Sequence, residues 1–182
     1  EEVMGVPLIM KVPGVTQAGT ETDALATHVD LATTLCALGG VDIDNAPTLS
    51  GVDLFPALAD PAASPRDYVF FSQDAAQSDL IANTRYAVRG FFDGETKYAR
   101  YYGIGGGVDR AGNVDQRPKL FGEDAAFEDH DHEWYEPADD PHELINLAND
   151  VGRKGELREH FNRLLEIELA ELGDKAGHQG PS

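Results

Sequence analysis

Two histidines alternate with acidic residues between residues 129 and 133, in the order Asp-His-Asp-His-Glu. In an extended segment, side chains two residues apart point to the same side, so His130 and His132 could both approach one metal ion. Imidazole nitrogens are frequent ligands of zinc and other transition metals. Two histidines on a polar segment are more often exposed to solvent, and we favour that interpretation of this pair.

Two basic residues, Arg89 and Lys97, lie within aromatic and β-branched segments and could reach an anionic substrate. A guanidinium or an ammonium group would hold such a ligand through charge-assisted hydrogen bonds. Ion pairs with the many carboxylates of this acidic chain are the commoner use of such side chains. Arg89 and Lys97 are therefore the candidate substrate-binding residues, with structural ion pairs as the alternative.

No pattern in the sequence identifies a catalytic residue or a metal ligand. The glycine-rich stretch Gly103–Gly107 lacks the Lys-Ser/Thr pair of a P-loop, so we interpret it as a loop. Ser64, Ser72 and Ser78 lack the context of a nucleophile elbow. The single cysteine, Cys36, cannot form an intrachain disulfide, and its place beside an apolar helical stripe favours a small core thiol.

The chain of 182 residues carries 33 acidic and 14 basic residues, a formal net charge of −19. This excess disfavours binding to the phosphate backbone of nucleic acids, which requires clusters of lysine and arginine, and binding to anionic membrane surfaces. No apolar run approaches the roughly 18 residues that span a bilayer. We therefore expect no nucleic-acid partner and no membrane span, and we interpret the acidic surface as a solvated one.

The first strongly apolar segment, Val6–Val12, predicts a strand buried on both faces, because apolar residues occupy both of its alternating positions. The chain begins with Glu1 rather than Met and shows no signal peptide. A protein rarely opens on a central strand without a lead-in. We therefore expect a fragment of a longer protein.

The segment His28–Leu38 predicts a helix that Gly39-Gly40 would end. Asp30 lies in its first turn, where the helix dipole favours a carboxylate, so we expect a structural role for it. Gly51–Leu58 predicts a turn and a short helix. The predicted buried stripe of the first helix consists of Leu31, Ala32, Leu35, Cys36 and Leu38.

Residues 59–66 are rich in proline, alanine and serine, and we place a domain boundary between residues 60 and 61. The pattern after this boundary changes to short aromatic strands, with an Asp93-Gly94 hairpin turn between two of them. The predicted strands are 67–72, 85–92, 97–102 and 134–135. Residues 103–128 predict a surface insertion. A last amphipathic helix is predicted at about 153–172, and its apolar face comprises Leu157, Phe161, Leu164, Leu165, Leu169 and Leu172.

The segment Glu133–Asp150 (EWYEPADDPHELINLAND) joins the last strand to that helix. Its middle part, His142–Leu147, predicts a short helical turn. Pro141 fits the first helical position, Asp140 fits the N-cap, and Glu143 lies three residues after Asp140, as in a capping box. The local pattern predicts strand, turn and capped helical turn, and it predicts no chemistry.

Four segments in order resemble patterns of the sulfatase family. Residues 1–14 resemble the pattern "YEE-x-x-x-VPLI-x-x-x-PG", and residues 27–54 resemble "SHVDLAPTLLDLAG…G-x-SL". Residues 85–99 resemble the hairpin "aVR-x-x-x-yKYi", and residues 134–148 resemble "LYDLENDPHELNNLA". Thr33, Asp53 and residues 137–138 depart from these patterns, which leaves the subfamily and the substrate open.

The resemblance implies an alkaline-phosphatase-like α/β fold. Residues 1–60 would be the C-terminal end of the main sulfatase α/β domain. Residues 61–182 would form a C-terminal α+β subdomain with a short antiparallel sheet and the terminal helix. The resemblance also implies hydrolysis of small sulfate esters, with Ca²⁺ and a formylglycine made from Cys or Ser in a C/S-x-P/A-x-R motif.

This chain does not match the sulfatase motifs that carry the chemistry. Cys36 is followed by Ala-Leu-Gly-Gly, so it lacks the required Pro/Ala and Arg. In this family the nucleophile and the acidic metal motif would lie before Glu1. We therefore expect the full-length protein to be a sulfuric ester hydrolase, and this fragment alone to be inactive and to bind no cofactor. Its expected partner is the missing N-terminal sulfatase domain.

Two alternatives stay open. The chain could be a non-catalytic assembly or partner-binding subdomain. The terminal helix would then be its interface, and the chain could form an oligomer. It could also belong to a phosphonate or phosphate ester hydrolase of the same superfamily, because only the missing nucleophile motif separates those enzymes from sulfatases. The sequence assigns no cellular compartment.

Overall fold

The computed structural model describes residues 4–45, 49–73, 87–102 and 125–173. The chain divides into two compact units, Glu1–Val69 and Phe70–Ser182. The sequence predicts a boundary after residue 60, whereas the structure divides after Val69. Arg66 makes buried hydrogen bonds to Asp30, so the residues just after 60 belong to the first unit. The Gly103–Gly107 stretch, Ser78 and most of the expected insertion at 103–128 lie outside the described residues.

The first unit contains helix α1 (His28–Leu38), a short 3-10 turn and helix α2 (Phe55–Ala59). The bounds of α1 are those that the sequence predicts. Its first turn is closed by the backbone N–H of Thr27, which donates to the Asp30 carboxylate at 2.8 Å. The chain leaves the helix through Gly40 at φ +80°, a conformation that glycine adopts without strain.

The buried face of α1 is polar, and the predicted apolar stripe is therefore wrong for this chain. Asp30, Thr33 and Thr34 are buried, whereas Leu35 is 63% exposed and Cys36 is half-buried. The inward side of α1 is set by the 49–54 loop, whose backbone N–H groups need the oxygens of Asp30 and Thr34. The apolar side is left without cover in the described part of this unit.

Residues 6–12 form no strand, contrary to the prediction, and the side chain of Ile9 is 91% exposed. A strand buried on both faces needs neighbouring strands and covering helices. Within the described residues of the first unit there is no sheet that this segment could join.

The second unit is a four-stranded sheet in the order β1-β2-β3-β4 with one long helix. The strands are β1 (Val69–Gln73), β2 (Ala87–Phe92), β3 (Lys97–Tyr102) and β4 (Asp131–Tyr135), and the helix α3 spans Lys154–Leu172. Neighbouring strands from β2 to β4 are antiparallel. The short antiparallel sheet and the terminal helix are thus confirmed. The hairpin turn has the predicted form, with Gly94 at φ +96° and the Asp93 carboxylate accepting from the N–H of Thr96 at 2.7 Å.

One face of the sheet forms an aromatic core with α3. In the strand register, Phe91 lies opposite Tyr98, and Tyr98 lies opposite Trp134. These three rings are at most 1% exposed, and Leu164 of α3 is fully buried. Such rings bury large apolar areas, and their packing accounts for the core of this unit.

Only part of the apolar face predicted for α3 is buried. Leu157, Phe161 and Leu164 are buried, as expected, but Leu169 is 61% exposed. Leu165, Leu169 and Leu172 form an exposed leucine ridge. Each residue of an α-helix advances by about 100°, so Leu165 lies well round the helix from the buried position of Leu164.

The segment after β4 contains no helical turn at 142–147, so that prediction is wrong. Glu143 has φ +52°, which a helix does not allow, and Asp140 accepts a hydrogen bond from the N–H of Ile145 at 2.8 Å. Asn146 decides this conformation. Its side chain accepts from the N–H of Trp134 at 3.1 Å and donates to the carbonyl of His132 at 2.9 Å, which ties the segment to β4.

Candidate functional site

The two candidate substrate-binding residues lie on opposite faces of the sheet. Arg89 pairs with Arg100, and Lys97 pairs with Phe92, in the β2–β3 register. Side chains alternate between the faces of a strand, so Lys97, three residues before Arg100, points away from the face that carries both arginines. The structure therefore does not bring Arg89 and Lys97 together, and one small anion cannot contact both. The substrate-binding role of each stays a prediction.

Arg89 belongs to a buried cluster with Arg100 and Glu168. Arg100 donates from Nε to Glu168 Oε1 at 3.0 Å and from Nη2 to Oε2 at 2.6 Å. Arg89 Nη1 lies 3.7 Å from Glu168 Oε2. Arg100 and Glu168 are 0% and 2% exposed. Such a fork-shaped pair is geometrically specific, and removing one partner strands a buried charge. The cluster joins α3 to the sheet.

Sequence reasoning missed this cluster, because a glutamate in an amphipathic helix is ordinarily expected on the solvated face. A signal was present: Glu168 follows Leu164 by four residues and Phe161 by seven. That spacing places it on the buried side of a helix. A carboxylate on that line requires a buried cation, and β2 and β3 each supply an arginine at paired positions.

Lys97 lies on the other face of the sheet and is held by a carboxylate. Its Nζ donates to Glu143 Oε1 at 2.7 Å, and Glu143 sits on the strained turn after β4. On the same face the hydroxyl of Tyr101 donates to Glu133 Oε2 at 3.0 Å. Burial raises the pKa of Tyr101, and the neighbouring Glu133 carboxylate raises it further. An anion approaching Lys97 would compete with Glu143.

The two histidines belong to the aromatic core, so the interpretation as a solvated pair is wrong. His130 is 4% exposed and packs against Tyr102 and Phe161. His132 stacks on Phe127 with ring centroids 4.5 Å apart. Both rings approach Phe161 of α3, as the alternation of the segment predicts for two side chains on one side.

The hydrogen bonds of His132 determine its tautomer. Nε2 lies 2.9 Å from the carbonyl oxygen of Phe127, and Nδ1 lies 2.8 Å from the hydroxyl of Tyr98. A carbonyl can only accept, so Nε2 carries the proton and Nδ1 accepts from Tyr98 in the neutral ring. Both nitrogens are occupied by protein groups. Among the described residues no group of three His, Cys, Asp or Glu side chains is placed to hold a metal ion.

Asp30 is the centre of the polar interior of the first unit, as its position in the first turn of α1 suggests. Its carboxylate accepts four hydrogen bonds: from the N–H of Thr27 (2.8 Å) and of Val52 (2.9 Å), and from Arg66 Nε (3.1 Å) and Nη2 (2.5 Å). It is fully buried. Every lone pair of the carboxylate is thereby occupied, so Asp30 is structural and is not free to bind a cation.

Two further residues explain the sequence pattern around Asp30. The Thr34 hydroxyl donates to the carbonyl of Asp30 at 2.8 Å and accepts from the N–H of Leu54 at 2.9 Å. A Cβ at Gly51 would lie 2.2 Å from the carbonyl oxygen of Val29, so only glycine fits where this loop crosses α1. Arg66 was missed, because it lies in a stretch that resembles a linker and its partner is distant in sequence.

The chain is similar to known proteins in its structure. Neither a protein-family model nor a curated protein sequence matches the chain. A solved structure of BT4656, in complex with its substrate D-glucosamine-2-N,6-O-disulfate, is 17% identical over 92% of this chain, with a TM-score of 0.62. A candidate sulfatase from Bacteroides thetaiotaomicron VPI-5482 is 21% identical over 84% of this chain, with a TM-score of 0.52. The chain has a sulfatase-like fold.

The sulfatase-like fold confirms the resemblance to the C-terminal part of this family. The chain spans 29% of the BT4656 chain and 26% of the Bacteroides thetaiotaomicron chain. A phosphonate monoester hydrolase of Agrobacterium radiobacter is also matched, at 22% identity over 78% of this chain, with a TM-score of 0.49. The likeness to the first two structures shows the fold of this chain. No helix in the described residues is long and apolar enough to cross a membrane.

Proposed function

We propose that this chain is the C-terminal portion of a sulfatase-type hydrolase of sulfate esters. The observation that carries the proposal is the sulfatase-like fold over 92% of the chain, matched to a structure that binds a disulfated sugar. Four ordered sequence segments resemble the same family. In this proposal the chain completes the hydrolase core and forms one wall of the substrate cleft.

The residues described in this chain do not fit the cofactors of that chemistry. Cys36 is half-buried within α1 and is followed by Ala-Leu-Gly-Gly, which does not fit a formylglycine precursor. The buried carboxylates of Asp30 and Glu168 are engaged by arginines, so neither is available to Ca²⁺. Among the residues that the structure describes, no group of three His, Cys, Asp or Glu side chains is placed to hold a metal ion. The proposal therefore assigns the formylglycine and the Ca²⁺ site of the full-length enzyme to residues before Glu1, as the family resemblance implies.

Arg89 and Lys97 remain the candidates in this chain for contact with a sulfate group. Because they lie on opposite faces of the sheet, at most one of them contacts a given sulfate. In the longer enzyme, replacing that residue by methionine would raise the KM for a sulfate ester. The affinity for the desulfated, uncharged sugar would stay unchanged. Equal effects of Arg89→Met and Lys97→Met on KM would contradict direct contact by either.

The test of the proposed function uses two proteins: the 182-residue chain and the longer polypeptide that the proposal requires. Each is assayed with an aryl sulfate, an aryl phosphate and a phosphonate monoester. We expect turnover of the sulfate ester by the longer protein alone. Turnover by the 182-residue chain would overturn the assignment of the chemistry to outside residues. Preference for the phosphonate or phosphate would favour the superfamily alternative.

A second candidate function is assembly through α3, and the exposed leucine ridge favours it. Leu165, Leu169 and Leu172 are 37%, 61% and 48% exposed. Sedimentation of the chain with and without Leu165→Asp and Leu169→Asp tests this function, because both positions are exposed and tolerate a charge. A monomer in all cases removes the assembly function. An oligomer that the two substitutions dissociate supports it.

A further inference from the structure

We propose that the Asp93-Gly94 peptide is the site at which this chain forms isoaspartate spontaneously, and that the Arg163 guanidinium keeps this reaction slow. The inference assigns a covalent modification site and its protecting residue, and it does not depend on the proposed function. Asp93-Gly94 is the one Asp-Gly pair of the sequence, which contains no Asn-Gly pair. The pair lies in the turn between β2 and β3.

The reaction needs no reagent other than water. The backbone nitrogen of Gly94 attacks Cγ of the protonated Asp93 carboxyl group, so that an N–Cγ bond forms and a Cγ–O bond breaks. The amide proton and the carboxyl hydroxyl leave as one water molecule, and a five-membered succinimide ring remains. A second water molecule then opens the ring. When it breaks the bond between the nitrogen and the main-chain carbonyl carbon, the chain continues through the side-chain carbon, and the mass of the protein is unchanged.

The turn leaves room for this ring to form. Gly94 is exposed and has φ +96°. A Cβ at this position would meet no atom within 4 Å beyond its chain neighbours. Glycine has no side chain that would shield its nitrogen from the preceding Cγ, and its backbone adopts conformations that other residues avoid. The attacking nitrogen is therefore not hindered by packing.

The carboxylate that must react is held by three donors. Asp93 Oδ1 accepts from the N–H of Thr96 at 2.7 Å and from the N–H of Glu95 at 3.1 Å. Its Oδ2 is paired with Nη1 of Arg163. These bonds favour the ionised form and fix the direction of the side chain. An ionised carboxylate would have to release an oxide ion, whereas a protonated carboxyl group releases water, so the ionised form is unreactive.

Arg163 is the member of this arrangement that a substitution can remove. Burial acts to raise the pKa of Asp93, but the hydrogen bonds from the turn and from Arg163 outweigh it, so the net pKa is lowered. The groups of α3 that face this carboxylate are Arg163 and His160, and those of its own turn are the N–H groups of Glu95 and Thr96. Lowering a pKa by one reduces the protonated fraction about tenfold at any higher pH. Arg163 therefore reduces the fraction of Asp93 that can react.

The test incubates the unchanged chain and three variants at neutral pH and measures isoaspartate at position 93 by fragmentation mass spectrometry of the peptide that contains it. We expect Arg163→Met to raise the rate of formation about 3-fold to 10-fold. Arg163→Lys, which keeps a positive charge, should stay near the unchanged chain. The matched control is Arg158→Met on the same helix. Arg158 is also paired with a carboxylate, that of Glu128, and also lies over a core ring, that of Phe127 at 4.3 Å. We expect no acceleration in this control.

Each outcome decides the inference. Equal rates in Arg163→Met and the unchanged chain would overturn it. Equal acceleration by Arg158→Met would overturn it too, because looser packing of α3 would then be the cause. Equal acceleration by Arg163→Lys and Arg163→Met would show that the positive charge does not protect Asp93. Isoaspartate that accumulates first at another aspartate in Arg163→Met would remove Asp93-Gly94 as the site.

Discussion

The two units of this chain bury different kinds of side chain: mainly polar ones in the first unit and mainly aromatic and aliphatic ones in the second. Among the described residues, the first unit buries the apolar side chains of Leu54 and Ala57 around a polar centre formed by Asp30 and Arg66. The second unit buries an aromatic core between its sheet and α3. That core includes Phe91, Tyr98, Tyr102, Phe127, Trp134, Leu157, Phe161, Leu164 and Ile167. The first unit is held by hydrogen bonds, and the second by packing.

The two units therefore differ in what stabilises their described residues. Burial of apolar surface is the dominant favourable term in folding, and a buried ion pair contributes little net stability while it specifies geometry. The second unit has both a core and a buried ion pair. The first unit has the ion pair, whereas Val6, Leu8, Ile9 and Leu35 remain exposed. Among the described residues, the second unit therefore buries far more apolar side-chain surface than the first.

The largest expected effect comes from the polar centre. Asp30→Ala leaves the Arg66 guanidinium buried and two N–H groups unpaired, which costs about 3–5 kcal/mol. The loss should be confined to the first unit. Trp134, the single tryptophan, lies in the second unit and reports its unfolding by fluorescence. We expect loss of amide protection in α1 with an unchanged fluorescence midpoint.

The control for this substitution is Asp60→Ala, which removes an exposed carboxylate that accepts from the N–H of Ala62 at 3.0 Å. We expect it to change stability by less than about 0.5 kcal/mol. A fluorescence midpoint that moves as far with Asp30→Ala as with a core substitution of the second unit would break the comparison between the units.

The next effect tests the packed core. Leu164 is fully buried, so Leu164→Ala should cost about 3 kcal/mol in the free energy of unfolding. Leu169→Ala on the same helix is the matched control, because Leu169 is 61% exposed and should change that free energy by less than about 0.5 kcal/mol. Urea unfolding followed by Trp134 fluorescence measures both. Equal costs would show that the leucine ridge, too, is covered in solution.

A smaller effect comes from the edge of the core, where Arg163 pairs with Asp93 and lies over the ring of Phe91 at 4.7 Å. Burial acts to raise the pKa of Asp93, but hydrogen bonds from the N–H groups of Thr96 and Glu95 and from Arg163 outweigh it, so the net pKa is lowered. Arg163→Met should cost about 1 kcal/mol at neutral pH.

The pH dependence of this contribution has a definite sign. The unfolded carboxyl has an ordinary pKa of 3.8 and the folded one a lower pKa, so the unfolded chain takes up the proton first as pH falls. The stabilisation by Asp93 is complete above the ordinary pKa and is lost as pH falls through the folded pKa. Urea unfolding from about pH 6 to about pH 3 should therefore be less pH-dependent in Arg163→Met than in the unchanged chain. A steeper dependence in the variant would contradict this account.

The smallest expected effect concerns His160, whose ring packs against Trp134 at 4.6 Å between ring centroids. Burial lowers the pKa of His160 from its ordinary value of 6.5. The unfolded chain therefore binds the proton first, and stability falls as pH drops below 6.5 towards the folded pKa. His160→Gln should flatten the stability profile in this range. An unchanged profile would show that the ring is solvated.

Local patterns predict much of the secondary structure. Helix α1 and strand β3 have the predicted bounds. The signals that set such bounds are side-chain periodicity, a capping carboxylate and terminal glycines, and all of them lie within a few residues of the element itself. The Asp93-Gly94 turn also has the predicted form. Each of these depends on neighbours in sequence.

The features that sequence reasoning missed depend on distant residues. The partner of Asp30 is Arg66, and the partner of Glu168 is Arg100 on β3. The helical turn at 142–147 fails because Asn146 bonds to the backbone of β4, which outweighs a local capping pattern. The side of α1 that is buried could not be predicted from apolar spacing, because it is held by hydrogen bonds from the N–H groups of Val52 and Leu54 to Asp30 and Thr34, which lie 22 and 20 residues away in the sequence.

Hydrogen exchange of the 182-residue chain by itself tests the contrast between the units most directly. We predict that amides of β3 and α3 exchange only through global unfolding, whereas amides of residues 7–11 exchange at the rate of an unstructured peptide and those of α1 are protected far less than those of α3. Equal protection in α1 and α3, or strong protection of residues 7–11, would contradict the account.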